Sequence, residues 1–141
     1  MMKRTIFTVL AVLGLFGAGC SKNAAPPSEP ANFSEFDLMN SSSRTLLVVA
    51  EPRGSSTVVE AGATASVLVA DGTYTTFPAP SEAITCISVY DNVAGHLVYQ
   101  QSPVVNDAWS ELRSALRVTH YTLELSDDDL SSVGLPNSCG R

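Results

Sequence analysis

Short apolar runs broken by turn residues fill the chain after residue 33, and two of these runs have a period of two residues. In residues 36–40 the two-residue period puts Phe36, Leu38 and Asn40 on one side and Asp37 and Met39 on the other, and residues 120–125 show the same period. Such a period predicts strands with one buried face and one solvent-facing side. Residues 45–50 form a continuous apolar run instead, which predicts a central strand covered on both faces.

Turn residues between these runs predict how the strands are connected. Ala61-Gly62-Ala63 separates residues 57–60 from 64–70 and predicts a hairpin. Asp71-Gly72 predicts a two-residue type I′ turn, because both central residues of that turn need positive φ and this pair tolerates it. A strand over 73–77 is predicted to follow the turn. A further hairpin is predicted between 84–90 and 96–101, with its loop at 91–95.

One segment has a helical period. Trp109, Leu112 and Leu116 fall at i, i+3 and i+7, which predicts a helix over 107–117, capped by Asn106 or Asp107 and packed on a sheet. Trp109 is then either a core residue or an anchor for a partner. The whole pattern predicts a mainly β protein: one small antiparallel β-sandwich, immunoglobulin-like or transthyretin-like, with one short helix.

The first twenty residues have a different character. Lys3 and Arg4 precede an apolar run, Ile6 to Phe16, of eleven residues. This run is too short for a membrane-spanning helix, which needs about twenty apolar residues. The small residues at 17–19 follow, as they do before the cleavage site of an export signal.

The segment Phe16-Gly17-Ala18-Gly19-Cys20 resembles the lipobox of bacterial lipoproteins, with Gly17 where that family usually has Leu. The resemblance implies a signal peptide at 1–19, cleavage before Cys20, diacylglycerol on the Cys20 thiol and an acyl chain on its amino group. Two or more acyl chains hold a protein durably on a membrane. In Gram-negative lipoproteins an Asp after the cysteine marks retention in the inner membrane, so by this resemblance Ser21 is compatible with the outer membrane, facing the periplasm. The alternative is a plain secretory signal with Cys20 as an ordinary thiol.

Residues 20–32 have three prolines and no large apolar side chain, which predicts a lipidated, disordered tether. The remaining residues, 33–141, form the predicted β-sandwich domain. All fourteen acidic residues but only six of the eight basic ones follow residue 19, so the mature chain has a net charge of −8. Nucleic-acid binding needs clustered Lys and Arg and is therefore excluded, and electrostatic docking on anionic lipid is disfavoured.

The mature chain keeps two further cysteines, Cys86 and Cys139, which in an oxidising compartment predict a disulfide. Such a bridge closes a loop of about 54 residues and contributes roughly 4 kcal/mol in the chain-entropy model. It would connect the C-terminal tail to an internal strand. The alternatives are two buried thiols or a pair of metal ligands.

Candidate metal ligands are few. Asp127, Asp128 and Asp129 offer oxygen atoms to Ca²⁺ but lack the alternate spacing of a calcium loop, and Ser126-x-x-Asp129 fits a helix-capping box better. His96 and His120 are the only histidines. They lack the spacing of a zinc site and are predicted to be exposed strand residues, although they can meet across strands near Asp91 or Glu124.

No pattern in the sequence indicates catalysis or a cofactor. A G-x-S-x-G turn and a glycine-rich phosphate loop are both absent, and Lys22, the only lysine after residue 19, lies in the tether. We therefore predict a non-enzymatic binding or assembly module for a protein partner in the cell envelope. The alternative is a metal- or small-ligand-binding periplasmic domain, and a hydrolase comes third.

Overall fold

The computed structural model describes residues 30–131 and 139, except for the Ser114 side chain. The predicted signal peptide, the predicted lipidation of Cys20 and nearly all of the tether lie outside the described residues. The described part is mainly β and confirms the predicted small β-sandwich. It contains a short helix α1 (Pro80–Ala83), a 3₁₀ helix (Asn106–Ala108) and eight strands: β1 (Phe33–Asn40), β2 (Leu46–Glu51), β3 (Ser55–Val59), β4 (Thr64–Asp71), β5 (Cys86–Asp91), β6 (Leu97–Gln101), β7 (Ser110–Ala115) and β8 (Val118–Leu125).

The strands form two four-stranded sheets. Sheet I has the order β4-β1-β8-β7, and sheet II has the order β3-β2-β5-β6. Every neighbouring pair is antiparallel except β1 and β8, which run parallel in the centre of sheet I over the full length of both strands. The first and the last strand are therefore direct neighbours, in a register that pairs Phe33 with Val118 and Asn40 with Leu125.

The core lies between the two sheets and is built from the inward side of each alternating strand. Phe36 and Leu38 of β1 are fully buried, as are Leu46, Val48 and Ala50 of β2. The Phe36 ring stacks on Tyr121 at 5.5 Å between centroids and meets Trp109 edge-on at 5.9 Å. Aromatic pairs of this kind contribute about 0.5–1.5 kcal/mol beyond the area that they bury.

The prediction that β2 is covered on both faces was wrong. Leu46, Val48 and Ala50 face the core, while Leu47, Val49 and Glu51 are half-buried on the outer face of sheet II. β2 is a central strand of an antiparallel sheet in a two-layer sandwich, so only one of its faces meets the other layer. Because Leu47 and Val49 at the outer positions are also apolar, the sequence of β2 does not alternate between apolar and polar residues.

The predicted helix over 107–117 was also wrong. Residues 106–108 form one 3₁₀ turn, and β7 follows as an edge strand paired with β8. Trp109 is buried against Phe36, but Leu112 and Leu116 are 67% and 95% exposed, so the three residues do not share a face. A helix this short is marginal without a packed apolar stripe, and the backbone hydrogen bonds of β8 offer a better alternative.

Two turn predictions were wrong and one was confirmed. Residues 60–63 do not form a hairpin, because β3 belongs to sheet II and β4 to sheet I, and the chain turns between the sheets there. Gly72 has no positive φ, and residues 73–77 form a loop instead of a strand. Gly72 is required for another reason: a Cβ there would overlap the Thr76 carbonyl oxygen. The β5–β6 hairpin is present, with Gly95 at φ 75°.

Among residues 30–131 and 139, no helix has the length and apolar character needed to cross a membrane.

Candidate functional site

The outer face of sheet I carries a group of three potential ligand side chains, Glu35, Asp37 and His120. Phe36 and Leu38 point into the core, so the alternation of β1 places Glu35 and Asp37 on the outer face. In β8 the inward residues are Tyr121 and Leu123, and His120 therefore faces outward. The parallel register pairs Glu35 directly with His120, which brings residues 85 positions apart in the chain to one place.

The geometry of this group is compact. His120 Nδ1 lies 3.1 Å from Asp37 Oδ2 and 3.7 Å from Glu35 Oε2. One ligand atom from each of the three residues lies within 4.8 Å of the other two. The side chains of Glu35, Asp37 and His120 are 30%, 16% and 28% exposed, so solvent reaches the group although all three are partly shielded. One imidazole nitrogen and two carboxylates converge here, a set that can hold a cation.

Apolar side chains surround this group on the same face. Val69 pairs with Glu35 and Leu112 pairs with His120 in the sheet register, and these side chains are 42% and 67% exposed. Met39, one outward position beyond Asp37, is 40% exposed. Glu124 adds a further carboxylate, which accepts a hydrogen bond from the Ser41 hydroxyl at 2.7 Å. We call this surface the acidic-apolar face; its members are Glu35, Asp37, Met39, Val69, Leu112, His120 and Glu124.

Comparison with known proteins gives no match: no protein-family model, no curated protein and no solved structure matches the chain.

The other histidine, His96, is exposed in the β5–β6 turn and does not join the His120 group. Its neighbour Asp91 organises that turn, because its Oδ1 accepts hydrogen bonds from the backbone N–H groups of Val93 and Ala94, each at 2.9 Å. These bonds, Ala94 first, lower the pKa of Asp91, and Arg44 at 3.5 Å adds to the effect. The two histidines do not meet near Asp91 or Glu124, because His96 lies in the β5–β6 turn of sheet II and His120 lies in β8 of sheet I.

The three consecutive aspartates form a turn and no metal-ligand group within the described residues. Asp127 accepts hydrogen bonds from the Ser43 backbone N–H and hydroxyl, at 3.1 and 3.0 Å. Asp129 accepts two from Ser126, at 2.8 Å from the backbone N–H and 2.7 Å from the hydroxyl, and these bonds lower its pKa. The contact between Asp129 and Ser126 is the one that the predicted capping box requires, but no helix begins between residues 126 and 131.

The structure brings the two predicted disulfide partners together. The sulfur atoms of Cys86 and Cys139 are at disulfide distance, with their Cα atoms 5.6 Å apart. Cys86 and Ser88 lie on the outer side of sheet II yet are only 3% and 4% exposed. Cys139 Sγ lies 3.0 Å from Ser88 Oγ and accepts a hydrogen bond from Gln100 Nε2 at 3.3 Å. Residue 139 is therefore held against the centre of sheet II.

Sequence reasoning missed Glu35 and Asp37 as site residues. Their signal was present in the alternation of β1, where two acids flank Phe36 on the opposite side from the core. That signal shows only that both face solvent. Their grouping with His120 depends on the parallel pairing of β1 with β8, and strand pairing order cannot be obtained from local periodicity.

Proposed function

We propose that this chain is a lipid-anchored protein of the bacterial cell envelope whose β-sandwich domain is a non-enzymatic binding or assembly module for an envelope protein. In this proposal Cys20 carries the lipid, residues 20–32 are the tether, and the domain faces the periplasm from the outer membrane. The lipobox-like sequence at 16–20 supports the anchor. Anchoring raises the local concentration of the domain near other envelope proteins without any new contact.

The observation that supports a binding role is the acidic-apolar face. Met39, Val69 and Leu112 expose apolar surface around a carboxylate group, and burying apolar surface stabilises a complex by about 25 cal/mol per Å². On this face the apolar side chains flank a charged centre, so a partner must bury apolar surface at the flanks and supply complementary charge between them.

Charge indicates the kind of partner. The charged members of the face are the carboxylates of Glu35, Asp37 and Glu124, with His120 as the only basic residue among them. Three of the arginines contact other parts of the chain: Arg44 pairs with Asp91, Arg113 lies 4.7 Å above the Phe77 ring, and Arg117 donates to the Pro30 carbonyl. The complementary partner is an envelope protein that presents Lys or Arg between apolar side chains.

The binding proposal is tested by affinity purification of the tagged full chain from detergent-solubilised membranes. Leu112→Arg places a positive charge on the acidic-apolar face, and Val58→Arg is the matched control, because Val58 is 48% exposed on β3 in the other sheet. We expect a partner at near-equal stoichiometry with the parent chain and with Val58→Arg, and at least a tenfold loss with Leu112→Arg. Unfolding midpoints in urea establish that both variants are folded; should Leu112→Arg fail to fold, Glu124→Lys takes its place.

Two results would overturn the binding role: no stoichiometric partner from membranes, or equal recovery with the two arginine variants. The anchor is tested separately by the intact mass of the membrane-extracted chain. We expect a mature N-terminus at Cys20 with diacylglycerol and one acyl chain, and release of Cys20→Ser from the membrane fraction. An unmodified thiol at Cys20 would contradict the anchor without affecting the binding test.

A further inference from the structure

The carboxylates of Glu35 and Asp37 lie on one face of β1, two residues apart, and share a single nitrogen. His120 Nδ1 is within hydrogen-bond distance of Asp37, but at 3.7 Å it is too far from Glu35 for a hydrogen bond. Within residues 30–131 and 139, neither carboxylate has an ion pair with an arginine. Two neighbouring carboxylates raise each other's electrostatic energy, and a cation placed between them relieves it.

We propose that Glu35, Asp37 and His120 bind one divalent transition-metal ion of the Zn²⁺ type, through His120 Nδ1 and one oxygen of each carboxylate. Imidazole nitrogen together with carboxylate oxygen suits zinc and its neighbours in the first transition series. Ca²⁺ and Mg²⁺ take oxygen ligands and in larger number. The imidazole nitrogen of His120 therefore favours an ion of the Zn²⁺ type over Ca²⁺ and Mg²⁺.

Two of the three separations between the ligand atoms are near those around such an ion, and the third, between the two carboxylate oxygens, is within 4.8 Å. In a tetrahedral zinc site with bonds of 2.0–2.1 Å, neighbouring ligand atoms are about 3.3 Å apart. The distances from His120 Nδ1 to the two carboxylates, 3.1 and 3.7 Å, lie on either side of that value. Small side-chain rotations are enough to reach it. Three protein ligands leave at least one position for water or for a side chain of a partner.

The backbone beneath the site is rigid. β1 and β8 are the two central strands of sheet I and pair over eight residues each. Between the two acids, Phe36 is fully buried, and Leu38 on the other side of Asp37 is fully buried too. The ligands therefore project from fixed positions, which lowers the entropic cost of binding. An ion held here also connects the first strand of the domain to the last.

The test is calorimetric titration of the membrane-extracted full chain, stripped with EDTA, with ZnCl₂, CaCl₂ and MgCl₂ in parallel. Omitting reductant keeps Cys86 and Cys139 paired, so that their thiolates do not bind zinc. We expect one Zn²⁺ per chain, bound at least tenfold more tightly than Ca²⁺ or Mg²⁺. His120→Ala should weaken Zn²⁺ binding by more than about 100-fold, beyond the 10- to 100-fold effect of losing an outer-shell partner. His96→Ala is the matched control and should bind as the parent does.

Two further measurements keep the proposal falsifiable. Glu35→Gln keeps the shape of the side chain and should also abolish tight binding, which covers the case in which His120→Ala does not fold. Zn²⁺ should raise the urea midpoint of the parent and not of either variant, because binding only to the folded state stabilises it. The proposal is overturned if Zn²⁺ does not bind, if Ca²⁺ binds as tightly, or if the affinity survives His120→Ala and Glu35→Gln. None of these outcomes depends on a protein partner.

Discussion

Asn40 at the end of β1 is a polar residue buried completely within the sandwich, and its removal should be among the most damaging single changes. Its Nδ2 group donates to the carbonyl oxygens of Arg44 and Val59, at 2.7 and 3.0 Å. Its Oδ1 accepts from the backbone N–H and the hydroxyl of Ser42, at 3.0 and 2.6 Å. One side chain therefore holds the 41–45 turn to both β1 and β3.

Asn40→Ala breaks all four bonds, three of which are buried. Each intramolecular hydrogen bond contributes about 1 kcal/mol net, so we expect a loss of about 4 kcal/mol in the free energy of unfolding. That is a large part of the 5–15 kcal/mol typical of a folded domain. Asn40→Asp keeps the two bonds from Ser42 but places a carboxylate against two carbonyl oxygens, and it should destabilise the domain at least as much.

The assay is urea unfolding of the Cys20→Ser mature chain, followed by the fluorescence of Trp109, the single tryptophan, which is 6% exposed and packs against Phe36. Ser41→Ala is the control, because its hydroxyl bonds Glu124 at the surface, and such a change costs about 0.5 kcal/mol or less. A loss below about 1 kcal/mol for Asn40→Ala, with an unchanged slope against urea, would refute the reasoning.

Two further predictions concern the covalent link and the response to acid. Reduction with dithiothreitol should lower the free energy of unfolding by roughly 4 kcal/mol, because Cys86 and Cys139 close a loop with a sequence separation of 53. Dithiothreitol should not change the stability of the Cys86→Ser/Cys139→Ser double variant, which is the control. An unchanged parent midpoint on reduction would count against the bridge. The hydrogen bonds from Ser126 lower the pKa of Asp129 in the native state from its ordinary value of 3.8. The ionised Asp129 carboxylate therefore stabilises the folded domain above pH 3.8, and this contribution is lost as the pH falls through the lower native pKa. The urea midpoint of Asp129→Asn should therefore fall less than that of the parent between pH 5 and about 2, and equal slopes would contradict this assignment.

Local patterns in the sequence correctly predicted the elements in which the spacing of apolar residues matches the spacing of buried positions. β1 and β8 were predicted correctly because most of their inward residues alternate with polar ones, and the β5–β6 hairpin because its loop contains Asp91 and Gly95. β7 was mistaken for a helix because Trp109, Leu112 and Leu116 happen to fall at helical spacing, while only the first of them is buried. The spacing of apolar residues in a sequence does not show which of those residues are buried in the folded protein.

The sequence by itself determined that the domain is a β-sandwich and that Cys86 and Cys139 are candidates for a bridge. Only the tertiary structure decided that β1 pairs with β8 and that Glu35, Asp37 and His120 share one place on its surface. The physical reason is that strand alternation depends on neighbouring residues, whereas the pairing of two strands depends on backbone hydrogen bonds and core packing between segments about 85 residues apart.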